Sequence, residues 1–326
     1  MVTVESLRPR ANSNSWMWGT NPKEVVELIH DVRKSQIIHG CMRIASLPVA
    51  EAGDLIETAL HLGINFFDHA DIYGQGKSEE VFGHAVHKRR IPRDRLVIQT
   101  KCGIRSGFYD FSKEHIISSV EGSLERLGTD YVDVLLLHRP DALVEPEEVA
   151  EAFDELEISG KVRYFGVSNQ NPLQIELLRK FCRQELLFNQ LQFGPVHTGM
   201  VDAGINVNLY NEGAINRDGS VLDYSRLHEI TIQAWSPLQH GFIEGVFLDN
   251  PDFADLNSKL TELAEAREVT PAALAIAWIL RHPAKMQPIV GTTNKERLKS
   301  LSKARDVTLS REEWYQLYLA AGNDLP

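Results

Sequence analysis

Short apolar, β-branched runs alternate along this chain with longer runs whose apolar residues recur every three to four positions. The short runs read as buried strands and the longer ones as amphipathic helices. A first strand is expected at 36–44 (QIIHGCMRI), followed by a helix at 49–62 with Ala52, Leu55, Ile56, Ala59 and Leu60 along one stripe. Strand 65–71 (NFFDHAD) leads to helix 78–88. Strand 96–102 (LVIQTKC) leads to helix 113–127, with Ser112 as N-cap and Gly128 past its end. Strand 131–138 (YVDVLLLH) leads to helix 146–159, and strand 162–168 (VRYFGVS) to helix 173–182. Strand 187–193 (LFNQLQF) is followed, after a long gap, by a helix near 221–229. Strand 231–236 (TIQAWS) leads to helical stretches at 255–267 and 271–281, and strand 288–291 (PIVG) to helix 294–304.

Strands that are apolar on both faces and separated by helices imply a parallel sheet. Eight such units predict an α/β fold, the closed (β/α)8 TIM barrel, with its active site at the carboxyl ends of the strands. The rival, a doubly wound open sheet, usually carries a GxGxxG after its first strand, and none occurs here. Three segments fall outside the repeat. Residues 24–29 with 32–36 are expected to form an N-terminal hairpin closing the barrel floor. Residues 194–219 read as a long polar loop. Residues 311–321 read as an extra C-terminal helix, with Trp314, Leu317, Tyr318 and Ala321 on one face and Ser310 as its cap. With no low-complexity tract or linker, residues 1–326 are expected to form a single domain with a barrel core at about 36–304.

Composition narrows the function. Of the 326 residues 45 are acidic and 34 basic, a net charge of −11. That balance argues against a broad nucleic-acid or anionic-membrane surface and leaves room for a local basic pocket. No stretch of about 18 apolar residues occurs, and the opening residues lack the apolar core of a signal peptide. Cys41, Cys102 and Cys182 have neither paired spacing nor a CxxC, which fits a reducing cytoplasm and no zinc site.

The candidate chemistry lies at strand ends. Strand two closes on Asp68-His69-Ala70-Asp71-Ile72-Tyr73-Gly74, strand three on Lys101 and strand four on His138. Each alone is an ordinary surface or core residue, but together they place an Asp, a Tyr, a Lys and a His on one rim. Tyrosine titrates near pH 10, and a neighbouring ammonium stabilises its anion and lowers that value. An Asp keeps the Lys charged and placed, and a His orients a carbonyl oxygen. Such a set polarises an aldehyde or ketone and supplies a proton as its oxygen becomes an alkoxide. None of the four supplies a hydride, so a nicotinamide cofactor is implied.

With these residues in view, the sequence resembles the aldo-keto reductase family, in particular a bacterial branch of NADP-dependent aldo/keto oxidoreductases. The match runs over roughly 38–301 through GINFFDHADIYG, VIQTKCG, YVDVLLLHRPD, GKVRYFGVSN, FNQLQF, AWSPL and PIVGTTNKERL. The resemblance implies Tyr73 as general acid, Lys101 as the group tuning it, Asp68 as the partner of Lys101 and His138 as the substrate-orienting group. It implies Ser168, Asn169 and Gln190 on the nicotinamide carboxamide and Trp235 stacked on its ring. It places Ser236 and Leu238 along the pyrophosphate. Thr292, Thr293 and Arg297, with Lys295 assisting and Gly291 opening the turn, would hold the adenosine 2′-phosphate of NADPH/NADP+, in preference to NADH. A helix N-terminus with free N–H groups and an Arg suits a phosphate independently of any resemblance. Many relatives carry Lys where this chain has Gly291, and a Glu-Asn pair where it has Ser300-Leu301.

The substrate pocket is expected from Met42, Arg43, Ile44, Ile72, Ile104, Arg139 and the loop 194–219. Arg139 either meets an anionic group of the substrate or pairs with Asp141 across Pro140. Two other functions compete. One is a binding or regulatory protein that keeps the cofactor site, as channel-associated β-subunits of the family do; the presence of all four catalytic residues argues against it. The other is a metal-dependent hydrolase, but His39, His69 and His84 lack ligand spacing. The expected protein is therefore a cytoplasmic NADPH-dependent reductase of small carbonyl compounds, a monomer as relatives often are, with no metal, nucleic-acid or membrane partner.

Overall fold

Strand 132–137 is buried at all six positions, so both its faces are covered, as the run VDVLLL requires; its one charged residue, Asp133, pairs with Arg93 and Arg163. It is one of eight barrel strands in the computed structural model, which describes residues 32–326. They are β1 (Ile38–Gly40), β2 (Phe66–Asp68), β3 (Val97–Cys102), β4 (Val132–Leu137), β5 (Val162–Ser168), β6 (Leu186–Gln192), β7 (Thr231–Trp235) and β8 (Gln287–Val290). Each pairs in parallel with the next, and β8 returns to β1 through Ile38↔Ile289, closing the barrel.

Helices cover the outside: α1 (Val49–His61), α2 (Lys77–Arg89), α3 (Lys113–Leu127), α4 (Pro146–Ile158), α5 (Pro172–Phe181), α6 (Gly199–Ile205), α7 (Val221–Leu227), α8 (Ala254–Glu265), α9 (Pro271–Leu280), α10 (Lys295–Ser302) and α11 (Arg311–Ala320). Their ends follow local chemistry. Ser112 Oγ accepts from His115 N at the start of α3, and Gly128 takes the left-handed φ of 64° that closes it. Pro stands in the first turn of α4, α5 and α9, where its missing N–H costs nothing.

The expected extra C-terminal helix is α11, opened by a capping box between Ser310 and Glu313. Its buried face is Trp314, Leu317 and Tyr318. Trp314 stacks on Trp278 of α9 at 4.6 Å and 9°. Each indole N–H donates to the other residue's carbonyl, at 3.0 and 3.1 Å, so both rings are buried with their polar atoms satisfied.

Some elements depart from expectation. β1 stops at Gly40, and the chain then turns through a 3-10 segment at Ile44–Ser46. Of the expected N-terminal hairpin, residues 24–29 lie outside the described residues, and residues 32–34 are helical rather than extended. The loop 194–219 contains α6, and Tyr318 Oη ties it to α11 by donating to Asp202 Oδ1 at 2.7 Å. Two short hairpins rise from the rim: Ile104–Arg105 with Phe108–Tyr109 after β3, and Gln239–His240 with Gly245–Val246 after β7. No helix among the described residues is long and apolar enough to cross a membrane.

Candidate active site

Parallel strands all end on the same rim, so the last residues of β2, β3 and β4 come together. Asp68 ends β2, Lys101 is the penultimate residue of β3, and His138 follows β4 directly. Lys101 is fully buried, and its ammonium has three partners. It donates to the Asp68 carboxylate at 2.8 Å, to the His69 carbonyl at 2.7 Å and to the Tyr73 hydroxyl at 3.1 Å. The Tyr73 ring meets the His138 ring edge to face, at 6.0 Å and 81°. The four residues expected from the strand ends are thus one connected group.

The electrostatics correct one expectation. Burial acts to lower the Lys101 pKa, but Asp68 and Tyr73 outweigh it and raise it above the ordinary lysine range, so Lys101 carries its charge. Burial pushes the Tyr73 phenol up, and the pull of Lys101 only partly offsets it. The net direction is therefore the opposite of the lowering that a Tyr–Lys pair alone would give. In this state Tyr73 holds its proton. His138 is driven well below the usual imidazole value, by burial first and then by Lys101 and Arg139. Its buried Nδ1 has no partner. A bare lone pair there costs less than a bare N–H, which favours the neutral tautomer with its proton on Nε2.

Beneath the group runs a chain of buried amides, of which the expected site includes only Gln190. Asp68 Oδ1 accepts from Gln99 Nε2 at 2.6 Å and from Gln190 Nε2 at 3.0 Å. Gln99 and Gln233 exchange bonds across the barrel at 2.9 and 3.1 Å. Gln233 donates on to Gln287 at 3.4 Å, and Gln287 donates to the Ser35 carbonyl at 2.7 Å. A carbonyl and a carboxylate accept only, so the two ends of the chain fix the direction of every amide between them. Alternation along a strand could have found two of these: Gln99 stands two residues before Lys101, and Gln233 two before Trp235.

Asp71 is a second residue the sequence left unassigned. Burial, reinforced by the charge of Glu79, pushes its carboxyl up to about 7, and its Oδ1 is buried without a partner.

The expected cofactor residues fall in two places. Ser168 ends β5 and Asn169 follows it in the left-handed region at φ 58°. Ser168 Oγ donates to the Gln190 carbonyl at 3.0 Å, Asn169 Nδ2 to Ser168 Oγ at 2.7 Å, and Trp235 Nε1 to Asn169 Oδ1 at 3.2 Å. Ser236 and Leu238 follow β7, where the half-buried Leu238 packs against the core and its carbonyl accepts from Phe247 N at 3.2 Å. Gly291, Thr292 and Thr293 link β8 to α10, whose N-cap Asn294 accepts from Arg297 N at 2.9 Å. Arg297 is exposed, and Lys295 Nζ lies 3.6 Å from Asp54. Ser300, at one of the departures from the family pattern, bonds Thr270 Oγ1 at 2.7 Å, and Leu301 is buried in the core.

The expected pocket residues divide. Met42 and Ile72 are exposed, and Ile104 stands at the base of the hairpin after β3. Ile44 is buried in the core, because the 3-10 turn after β1 directs it inward; it does not line the opening. Arg43 Nη1 donates to the Gly291 carbonyl at 3.1 Å, since β1 neighbours β8, which places it beside the expected phosphate turn. The alternative pairing of Arg139 with Asp141 does not form: Asp141 accepts from Phe111 N at 3.0 Å and Leu143 N at 2.8 Å. Instead the guanidinium carbon of Arg139 lies 5.6 Å from the Trp235 ring and 5.7 Å from the Phe242 ring. Among the described residues, no group of three or more His, Cys, Asp or Glu is placed to hold a metal ion.

The model of the Aldo/keto reductase family matches residues 36–318. The chain is 36% identical over 318 residues to the uncharacterized oxidoreductase YcsN of Bacillus subtilis (strain 168), covering 92% of this chain and 99% of that one. It is 35% identical over 314 residues to a 6-dehydroglucose reductase of Agrobacterium fabrum, again covering 92% and 99%. The solved thermostable aldo-keto reductase Tm1743, in complex with the inhibitor epalrestat, superposes with a TM-score of 0.70 at 25% identity, covering 87% of this chain and 94% of that one. By this family match, and by relatives that share nearly its whole length, the chain belongs to the aldo/keto reductase family.

Proposed function

We propose that this protein is an NADPH-dependent oxidoreductase that reduces small aldehydes or ketones to alcohols in the cytoplasm, with Tyr73 as the general acid. The observation that carries this reading is the buried Lys101 ammonium shared between the Asp68 carboxylate and the Tyr73 hydroxyl.

The residues present fit a dinucleotide. Beside Gly291 a Cβ would meet the Gly40 carbonyl at 3.8 Å and Arg43 Nη1 at 4.0 Å, ordinary contact distances, so nothing crowds the backbone of the turn before α10. Thr292, Thr293 and the exposed Arg297 border that turn and suit the 2′-phosphate, which favours NADPH over NADH. At the other end, Ser168, Asn169 and Gln190 offer amide and hydroxyl groups to a carboxamide, next to the stacking surface of Trp235. When bound, NADPH supplies the hydride that adds to the carbonyl carbon.

The chain's own residues do the rest. His138 directs its Nε2–H at the carbonyl oxygen. Tyr73 gives that oxygen its proton as negative charge develops there. Lys101, held charged by Asp68, stabilises the phenolate left behind, which then regains a proton from water. The raised pKa of the phenol keeps the acid loaded at neutral pH.

The test is a titration with NADPH and NADH followed by tryptophan fluorescence, then a panel of aldehydes and dicarbonyls with NADPH oxidation as the readout. Tight NADPH binding with turnover that falls by about a hundredfold or more in Tyr73→Phe is the expected result. Binding without turnover above the Tyr73→Phe control would make this a cofactor-binding regulatory protein instead. Binding of neither cofactor would end the proposal.

A further inference from the structure

The rim carries a cation that the reaction above does not use. β4 ends at Leu137, and Arg139 leaves the barrel one residue after His138. Its guanidinium lies near two aromatic faces, Trp235 and Phe242, whose rings stand edge to face at 6.3 Å and 87°. A cation–π approach at this range uses the face of the guanidinium and does not consume its N–H donors.

No carboxylate of the described residues lies within ion-pair distance of Arg139. Asp141, two residues on, spends one oxygen on Leu143 N and the other on Phe111 N. Arg93, Arg126, Arg163, Arg183 and Arg267 reach carboxylates, and Arg43, Arg281 and Arg305 reach backbone carbonyls; Arg139 meets ring faces instead. A half-buried guanidinium without an anion, beside the ring that would orient a carbonyl, is a site for an anion brought by the ligand.

We propose that Arg139 recognises a carboxylate on the substrate, so that the preferred substrates are oxo acids and aldehyde acids rather than neutral carbonyl compounds. This rests on the carbonyl-reductase reading and specifies its substrate class. Trp235 and Phe242 hold the guanidinium, and its fork takes the two carboxylate oxygens while His138 and Tyr73 address the carbonyl of the same molecule.

The test compares kcat/KM for matched pairs: 4-carboxybenzaldehyde against its methyl ester, and succinic semialdehyde against butanal. A charge-assisted bidentate contact is expected to favour the acid by about tenfold or more. Arg139→Met keeps an apolar stem against the two rings and removes the charge, so the acid-to-neutral ratio should fall to about one. Arg139→Lys should restore part of it. A ratio near one in the wild type, or one that survives Arg139→Met, overturns the proposal. Loss of NADPH affinity in Arg139→Met with the ratio intact would assign the residue to the cofactor instead. A second arm needs no turnover: benzoate and its neutral amide counterpart, benzamide, are titrated into the NADP+-loaded protein by fluorescence. Benzoate should bind more tightly, and only when Arg139 is present. If no carbonyl compound turns over, the reductase reading fails, and equal binding of the two ligands would remove the anion site as well.

Discussion

Gln99 Nε2 donates to Asp68 Oδ1 across 2.6 Å, on the same carboxylate that holds Lys101 Nζ at 2.8 Å. The amide therefore helps hold in place the carboxylate that keeps Lys101 charged beneath Tyr73. Gln99→Leu removes that donor and also leaves Gln233 short of one partner in their reciprocal pair. A hydrogen bond to a buried charge contributes about 1.5–3 kcal/mol, and urea unfolding should show a loss of that size. Turnover should fall as well, because the carboxylate that positions Lys101 loses one of its donors. A variant that is less stable but keeps the wild-type kcat would leave Gln99 with a packing role only.

Lys101→Met tests the centre of the group. It strips the cation from a carboxylate that is itself buried, and breaking a buried pair in this way costs about 3–5 kcal/mol. Carbonyl reduction should fall by about a hundredfold or more, since the Tyr73 phenolate loses its neighbouring charge. The double variant Asp68→Asn with Lys101→Met should recover much of the stability and none of the rate. Thermal unfolding with steady-state rates separates the two effects, and a double variant no more stable than Lys101→Met alone would rule out the uncompensated charge as the cause.

The Asp68–Tyr73–Lys101–His138 group is legible because it needs only two facts, which residues end or closely follow the strands and that parallel strands end on one rim. The amide chain was not legible in the same way. Gln99 and Gln233 are 134 positions apart and meet across the barrel, so no local spacing links them. The direction of the Tyr73 shift is a contest between burial and Lys101, and the sequence displays only the second. Ile44 and Arg43 follow the first strand, where pocket loops are expected; the 3-10 turn after Gly40 sends one side chain into the core and the other to Gly291, and no sequence pattern announces that turn. The sequence does not decide between the two partners of Arg139, because the hairpin that brings Phe242 to it has no periodic signal of its own.

Cofactor preference turns on Arg297. It is exposed in the first turn of α10, after Thr292 and Thr293, and no carboxylate of the described residues pairs with it. Arg297→Ala is expected to weaken NADPH by about tenfold or more and to leave NADH nearly unchanged, because only NADPH carries the 2′-phosphate. Lys295→Ala should have a smaller effect, since Lys295 already lies 3.6 Å from Asp54. Fluorescence titration of both cofactors checks this, and equal losses for NADPH and NADH would take Arg297 away from the 2′-phosphate.

Asp71 gives a pH dependence whose sign is fixed by its surroundings. Burial first, and the charge of Glu79 second, hold its carboxyl at about 7 against an ordinary 3.8. Between those values the folded protein binds a proton that the unfolded chain has lost. The contribution of Asp71 to stability is therefore full below about pH 4 and is lost as pH rises through 7. Asp71→Asn carries a side chain that does not titrate, so it should gain on the wild type as the pH is raised from about 5 to about 8. With allowance for partial solvent screening, the gain is about 1–2 kcal/mol. Because wild type and variant are compared at each pH, the titration of every other group cancels to first order. Urea unfolding of both proteins at the two pH values measures the gain, and a difference between them that stays constant with pH would show that Asp71 is solvated and titrates like an ordinary carboxyl.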